Sequence, residues 1–372
     1  MSTPSLDRRE FLKGCSAAAA IGAVGPTMLF SQDAYAAVNT YDTVVMVFLR
    51  GGIDGLNLVP PISGNDRGFY EEARPTLRIP ATGDPSALPL TLADGSATGF
   101  GLHPSATGLR DIWDAGKLAI VQCCGLKTVV SRSHFDAQAY QDLGTPGDLK
   151  VASGWMTRAW QTQFAAGTAM PMLAVASRQP ANMRGSTEAM SMPSPGDFSL
   201  SSGAPQWRTY RTGMPAGTRG VTETMASLWA GQTGAEIAGM RGSASMDLIA
   251  QQGYNATLPA TWPTTTFSRQ LWTVAQSIRF NLGLRYAAVD LGGWDTHENQ
   301  GTVGNSLYSN KITELSQALT AFYNELNATG EMGRVTVIVQ SEFGRRVRQN
   351  GSGGTDHGYG NPLLVLGGPV NG

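Results

Sequence analysis

Short apolar runs alternate with longer segments of helical spacing along most of this chain. Thr43 to Leu49 (TVVMVFL) is a continuous apolar, β-branched run that ends at Gly51-Gly52, the pattern of a strand buried on both faces. Lys117 to Cys123 reads as a second buried strand, and Pro171 to Ala176 as a short one. Tyr286 to Leu291, Arg334 to Gln340 (RVTVIVQ) and Asn361 to Leu366 complete the set. Between them the spacing predicts helices. They run over Pro104 to Ala115, Ser133 to Leu143 with Ser133 as N-cap, Trp155 to Phe164, Thr222 to Gln252, Phe267 to Asn281 and Leu307 to Leu326. From about Ser177 to Thr218 no period lasts, and Pro, Gly, Ser and Met dominate; this is a loop-rich excursion over the sheet. Such alternation implies an α/β fold: a mostly parallel sheet covered by helices on both faces, with ligands beyond the carboxyl ends of its strands.

The N-terminus reads as an export signal. Asp7-Arg8-Arg9-Glu10-Phe11-Leu12-Lys13 is a twin-arginine motif, an Ala- and Gly-rich apolar run follows, and Ala34-Tyr35-Ala36 is a cleavage site. The expectation is a signal peptide over 1–36 and one domain over 37–372, periplasmic or secreted. The twin-arginine translocase would be the partner during export. The run is too short and too weakly apolar to be a permanent membrane anchor, and Cys15 precedes it, against a lipid anchor. That route carries proteins already folded, which suits a cofactor loaded before export. The last predicted strand is followed only by a Gly-Gly-Pro turn, so a closing segment is expected beyond Gly372, with an apolar face left open near Leu363 to Leu366. A formal net charge of -1 gives no electrostatic case for nucleic acid. Cys123 and Cys124 lie in an apolar run and read as core thiols.

Chemistry concentrates around the four histidines: His103, His134 in Ser131-Arg132-Ser133-His134-Phe135-Asp136, His297 in Trp294-Asp295-Thr296-His297, and His357 in Thr355-Asp356-His357-Gly358. Imidazole beside carboxylate is the usual donor set for zinc and similar divalent ions. Asp54, Asp295, His297 and Glu342 lie just beyond predicted strand ends, and Asp356 and His357 lie in a Gly-rich loop before the last strand. Each also has a plain structural reading. Asp54 can cap a turn, His103 can pack at a helix start, His134 can support a neighbour, and Ser133 is a favoured N-cap. No dinucleotide fingerprint, phosphate loop or G-x-S-x-G elbow is present.

The ordered motifs Leu49-Arg50-Gly51-Gly52-Ile53-Asp54-Gly55-Leu56, Ser131 to Gln138, Trp294 to Gln300, Ser341-Glu342-Phe343-Gly344-Arg345 and Gly353 to Gly358 resemble a secreted family, domain of unknown function 1501. That family is itself similar to the alkaline phosphatase and sulfatase superfamily. The resemblance implies metal ligands at Asp54, Asp295, His297, Glu342 and His357, with Asp356 beside them. It implies a nucleophile at a helix start, Ser133 or else Ser131, and one or two divalent ions, usually zinc. Arg132 or Arg345 would clamp an anion. The chain departs from the superfamily where Glu342 is followed by Phe343 rather than His, and where Asp295 and His297 stand unusually close. The expected activity is metal-dependent hydrolysis of a small anionic phosphate or sulfate ester. A non-catalytic binding or assembly protein on the same scaffold is the alternative, and a metal-dependent transferase or mutase a third.

Overall fold

The computed structural model describes residues 42–126, 129–163, 168, 170–194, 227–252 and 254–372. The twin-arginine segment and most of the predicted excursion lie outside them. Nine strands are described: β1 (Thr43–Leu49), β2 (Leu88–Thr91), β3 (Ala97–Leu102), β4 (Leu118–Cys124), β5 (Met172–Ala174), β6 (Ala189–Ser191), β7 (Tyr286–Leu291), β8 (Val335–Ser341) and β9 (Asn361–Gly367). Seven form one sheet in the order β4-β9-β8-β1-β7-β5-β6, and β2 and β3 form a separate antiparallel pair. β1 runs parallel to both β7 and β8, with Leu49 level with Leu291 on one side and Ser341 on the other. The three strands therefore end together, and the loops that follow them meet.

Two expectations need correction. The sheet is mostly parallel, as expected, but β9 is antiparallel to both β8 and β4, so it is mixed. Among the described residues β4 pairs only with β9 and forms the sheet's edge, with Val121 to Cys123 exposed. Cys123 is exposed and Cys124 half-buried, so neither is a core thiol. An apolar run cannot reveal whether a strand will lie at the centre or the rim. The β2–β3 pair and helix α2 (Gly64–Ala73) escaped the pattern for local reasons. The pair is interrupted by Pro89, Gly99 and Gly101, and GNDRGFYEEA has too few apolar residues to mark a stripe.

The remaining helices are α1 (Gly55–Leu58), α3 (Thr107–Asp114), α4 (His134–Leu143), α5 (Trp155–Thr162), α6 (Gly234–Gln252), α7 (Thr266–Arg279) and α8 (Leu307–Ala328). α7 and α8 start at Thr265 and Ser306, whose hydroxyls accept the backbone N–H of Ser268 and Ser309. One sheet face meets α3, α7 and α8: Val45, Val47 and Leu49 join Ile278, Leu315, Leu319 and Phe322 in the main core. The other face carries a smaller cluster, in which Met46, Met172 and Ala288 pack against Met156 and Trp160 of α5. Along β9 the outward Leu363 and Val365 are only half-buried.

His103, before α3, is wholly buried and belongs to this framework. Its Nδ1 accepts the backbone N–H of Ser105 at 3.0 Å, which leaves Nε2–H to donate to the Thr302 carbonyl at 2.8 Å. Burial depresses its pKa from 6.5 to about 4. The fold thus holds the neutral ring while the unfolded chain takes up a proton. Stability from this group is complete above about pH 6.5 and is lost as the pH falls toward 4, by about 3 kcal/mol. Urea midpoints taken between pH 7 and 4 should fall more steeply for the natural chain than for His103→Gln, the difference amounting to about one proton.

Candidate metal centre

The loops after β1, β7 and β8 are tied together by one buried side chain. Arg345, 5 % exposed, donates from Nε to the Gly52 carbonyl at 2.5 Å and from one terminal nitrogen to Thr355 at 2.8 Å. The other terminal nitrogen meets the carbonyls of Gly51 (2.5 Å) and Trp294 (3.2 Å) and Asp295 Oδ1 (2.6 Å). Gly51 and Gly52 make this approach possible. Both have positive φ, and a Cβ on Gly51 would lie 2.6 Å from the Asp295 nitrogen, one on Gly52 2.5 Å from the Phe343 ring.

Asp295 Oδ1, so fixed, is the point on which three imidazoles converge. His134 opens α4, whose N-cap Ser133 accepts the Asp136 N–H. His134 Nδ1 lies 2.7 Å from Glu342 Oε1, and its Nε2 lies 3.4 Å from Asp295 Oδ1. His357 Nδ1 lies 2.7 Å from the Arg132 carbonyl, with Nε2 3.3 Å from Asp295 Oδ1. His297 Nδ1 faces Asp356 Oδ1 at 3.4 Å, while Nε2 is 3.1 Å from Asp295 Oδ1 and 2.8 Å from His357 Nε2. Every Nδ1 faces an acceptor and is therefore assigned the proton, so the Nε2 lone pairs turn inward on a carboxylate oxygen. Lone pairs this close repel unless a proton or a cation lies among them. His134 Nε2 is buried without a hydrogen-bond partner. The donor atoms of His134, Asp295 and His357 all lie within 4.8 Å of one another; His297 touches Asp295 and His357 but stands outside that compact group.

The electrostatics keep these groups in the forms a cation needs. Burial raises the Asp295 pKa, but the hydrogen bond and charge of Arg345 outweigh it and leave the carboxylate below its usual range. Burial likewise opposes ionisation of Glu342, and bonds from Gln138, His134 and the Gly51 N–H reverse the effect. Burial first, then the charge of Arg345, lowers His357 below the usual imidazole value.

The structure distributes the expected site residues unevenly. Asp295, His297 and His357 meet. Glu342 reaches the group through His134 rather than facing its centre, and Asp356 backs His297. Asp54 lies elsewhere in the hydrogen-bond network: wholly buried, its Oδ2 accepts from Arg74 at 2.5 Å and Gln300 at 2.6 Å, and no bond joins it to the histidines. Ser133 serves as a helix cap, and the Ser131 hydroxyl accepts the Ser133 N–H. Arg132 supplies its carbonyl to His357 and leaves its side chain exposed. Arg345 is engaged with the protein's own oxygens rather than free to clamp a ligand. His134 is the donor that sequence reasoning undervalued, and Gln138 its unnoticed companion. The available signal was their i, i+4 spacing at a helix start, which places both on one face.

The family described as Protein of unknown function (DUF1501) matches residues 128–372, a span that holds every member of this cluster, and the chain belongs to that family. No curated protein and no solved structure matches it.

The placement of Asp54 generates a prediction. Arg74→Met leaves a buried, uncompensated carboxylate and should cost about 3–5 kcal/mol in urea denaturation. A loss under about 1 kcal/mol would mean that the pair is not the anchor its geometry describes.

Proposed function

We propose that this member of the DUF1501 family is an exported, metal-dependent hydrolase of small phosphate or sulfate esters, built on an alkaline-phosphatase-like scaffold. The observation that carries the reading is the buried His134 Nε2, which has no hydrogen-bond partner and faces, with His357 Nε2, one carboxylate oxygen. A four-coordinate ion with bonds of about 2.0–2.2 Å sets its donors roughly 3.3–3.5 Å apart. The His134–Asp295 and His357–Asp295 separations of 3.4 and 3.3 Å fit that spacing. Imidazole and carboxylate donors favour zinc. His134, Asp295 and His357 would hold a single ion with a position left open, the pattern of catalytic rather than structural zinc. When bound, such an ion supplies Lewis acidity toward an ester oxygen and acidifies water near neutral pH.

The chain's own residues supply the rest. Glu342 and the Arg132 carbonyl fix the proton on Nδ1 of the two histidines, which orients the rings. Arg345 holds Asp295 in place. The exposed Arg132 side chain, two residues before His134, is the nearest cation in sequence for a substrate's negative charge. Ser133 as a cap leaves the nucleophile to water. A second reading, a binding or assembly protein without turnover, is favoured by one contact: Arg345 already occupies Asp295 Oδ1 at 2.6 Å and competes there with a cation.

Elemental analysis of the protein exported in folded form should find about one divalent ion per chain. His134→Ala should lose it, and Glu342→Gln should bind it about 10–100-fold more weakly. Ser133→Ala should lower stability by about 1 kcal/mol and leave hydrolysis of aryl phosphate or sulfate esters unchanged; abolished turnover would return Ser133 to the role of nucleophile. Protein that takes up no ion on titration removes the hydrolase reading. Protein that binds an ion and turns over neither ester class leaves the binding module.

A further inference from the structure

We propose that Cys123 and Cys124 form a redox-active dithiol that closes reversibly into a disulfide between adjacent residues. In a regular strand, successive side chains point to opposite faces, which would hold neighbouring thiols apart. β4 is not regular here. Val121 pairs with Leu363 and Cys124 with Asn361, so three steps along β4 match two along β9. The strand thus carries one extra residue, a β-bulge, in which two residues oppose one on the partner strand. Cys123 occupies it with φ of 60°, in the left-handed region that glycine ordinarily fills. A cysteine held there is strained, and the strain points to a use. Neither sulfur is in a disulfide; Cys123 is exposed, and the half-buried Cys124 thiol faces the Val121 carbonyl at 3.6 Å. Cys124 also lines a cavity of about 220 Å³ with Gln141, Gln340, Ser341 and Leu363. Gln141 donates to the carbonyls of Ser341 and Glu342, so this cavity abuts the back of the candidate metal centre.

The reaction is exchange with a low-molecular-weight disulfide. The Cys123 thiolate attacks one donor sulfur, the donor S–S bond breaks, and the first thiol leaves. The Cys124 thiolate then attacks the Cys123 sulfur and displaces the second. Two cysteines are oxidised, one disulfide is reduced to two thiols, and the protons of the cysteines go to the released thiolates. Adjacent α-carbons lie about 3.8 Å apart, short of the roughly 4.4–6.8 Å that a disulfide usually spans, so the ring is strained and readily reduced. This makes the bond a reversible latch rather than a structural crosslink.

The test uses the full chain, with glutathione disulfide as the probe and mass analysis of the tryptic peptide Leu118 to Lys127, which contains both cysteines and excludes Cys15. The expected product is a peptide two hydrogens lighter with no glutathione retained, restored by excess reduced glutathione. Cys123→Gly suits the left-handed backbone, should fold at least as well, and should keep a stable glutathione adduct on Cys124 because no neighbouring thiol resolves it. A lasting adduct on the natural peptide, a link between chains, or no reaction overturns the proposal.

Discussion

The candidate centre depends on one guanidinium buried beyond the end of the sheet. A buried charge is tolerable only if its hydrogen-bonding capacity is met. Arg345 meets it with carbonyls from three separate loops and one carboxylate. The loop after β1 supplies Gly51 and Gly52, the loop after β7 supplies Trp294 and Asp295, and the segment before β9 supplies Thr355. Each of these loops would otherwise be free to vary. Because the guanidinium is planar and its donors are fixed, satisfying it sets the position of Asp295 to within hydrogen-bond tolerance.

A second layer of order comes from the far side of each imidazole. Glu342, the Arg132 carbonyl and Asp356 each face an Nδ1, so all three Nε2 atoms turn toward the same oxygen. Phe343 packs against both His134 and His357, with ring centroids 4.8 and 4.7 Å away, and limits ring rotation. Glu342 itself is held by Gln138 and the Gly51 N–H, so the support of His134 returns to the loop that Arg345 secures. The cluster is thus preorganised from behind, which is the arrangement that tunes a metal ligand's orientation and basicity.

Asp54 is held in a buried polar network beside the histidine cluster. It follows β1 where the superfamily resemblance implies a ligand, yet its partners are Arg74, from the end of α2, and Gln300. The Asn57 side-chain Oδ1 accepts from both Arg74 and Tyr70, and the Asp54 backbone carbonyl accepts from Tyr308. The result is a buried polar network that joins α1 and α2 to the sheet. Its cation, Arg74, directly follows a helix with no clear apolar stripe, so only the folded chain pairs it with Asp54.

The amino-acid sequence by itself determined the alternation of strands and helices, the central apolar strands, the Ser133 cap, the place of Asp295 and His297 beyond a strand end and that of His357 in the Gly-rich loop before the last strand. These features are local: hydrophobic period, capping chemistry and turn residues act within a few positions. Tertiary structure decided what depended on register and on partners distant in the chain. It set the antiparallel course of β9 and the edge position of β4, since pairing direction leaves no mark on an apolar run. It placed His134 among the donors, because the 208 residues that separate it from Glu342 are closed only by the fold. It also turned Arg345 inward and Asp54 away, since whether a charged side chain meets a ligand or a backbone carbonyl is fixed by which loops arrive beside it.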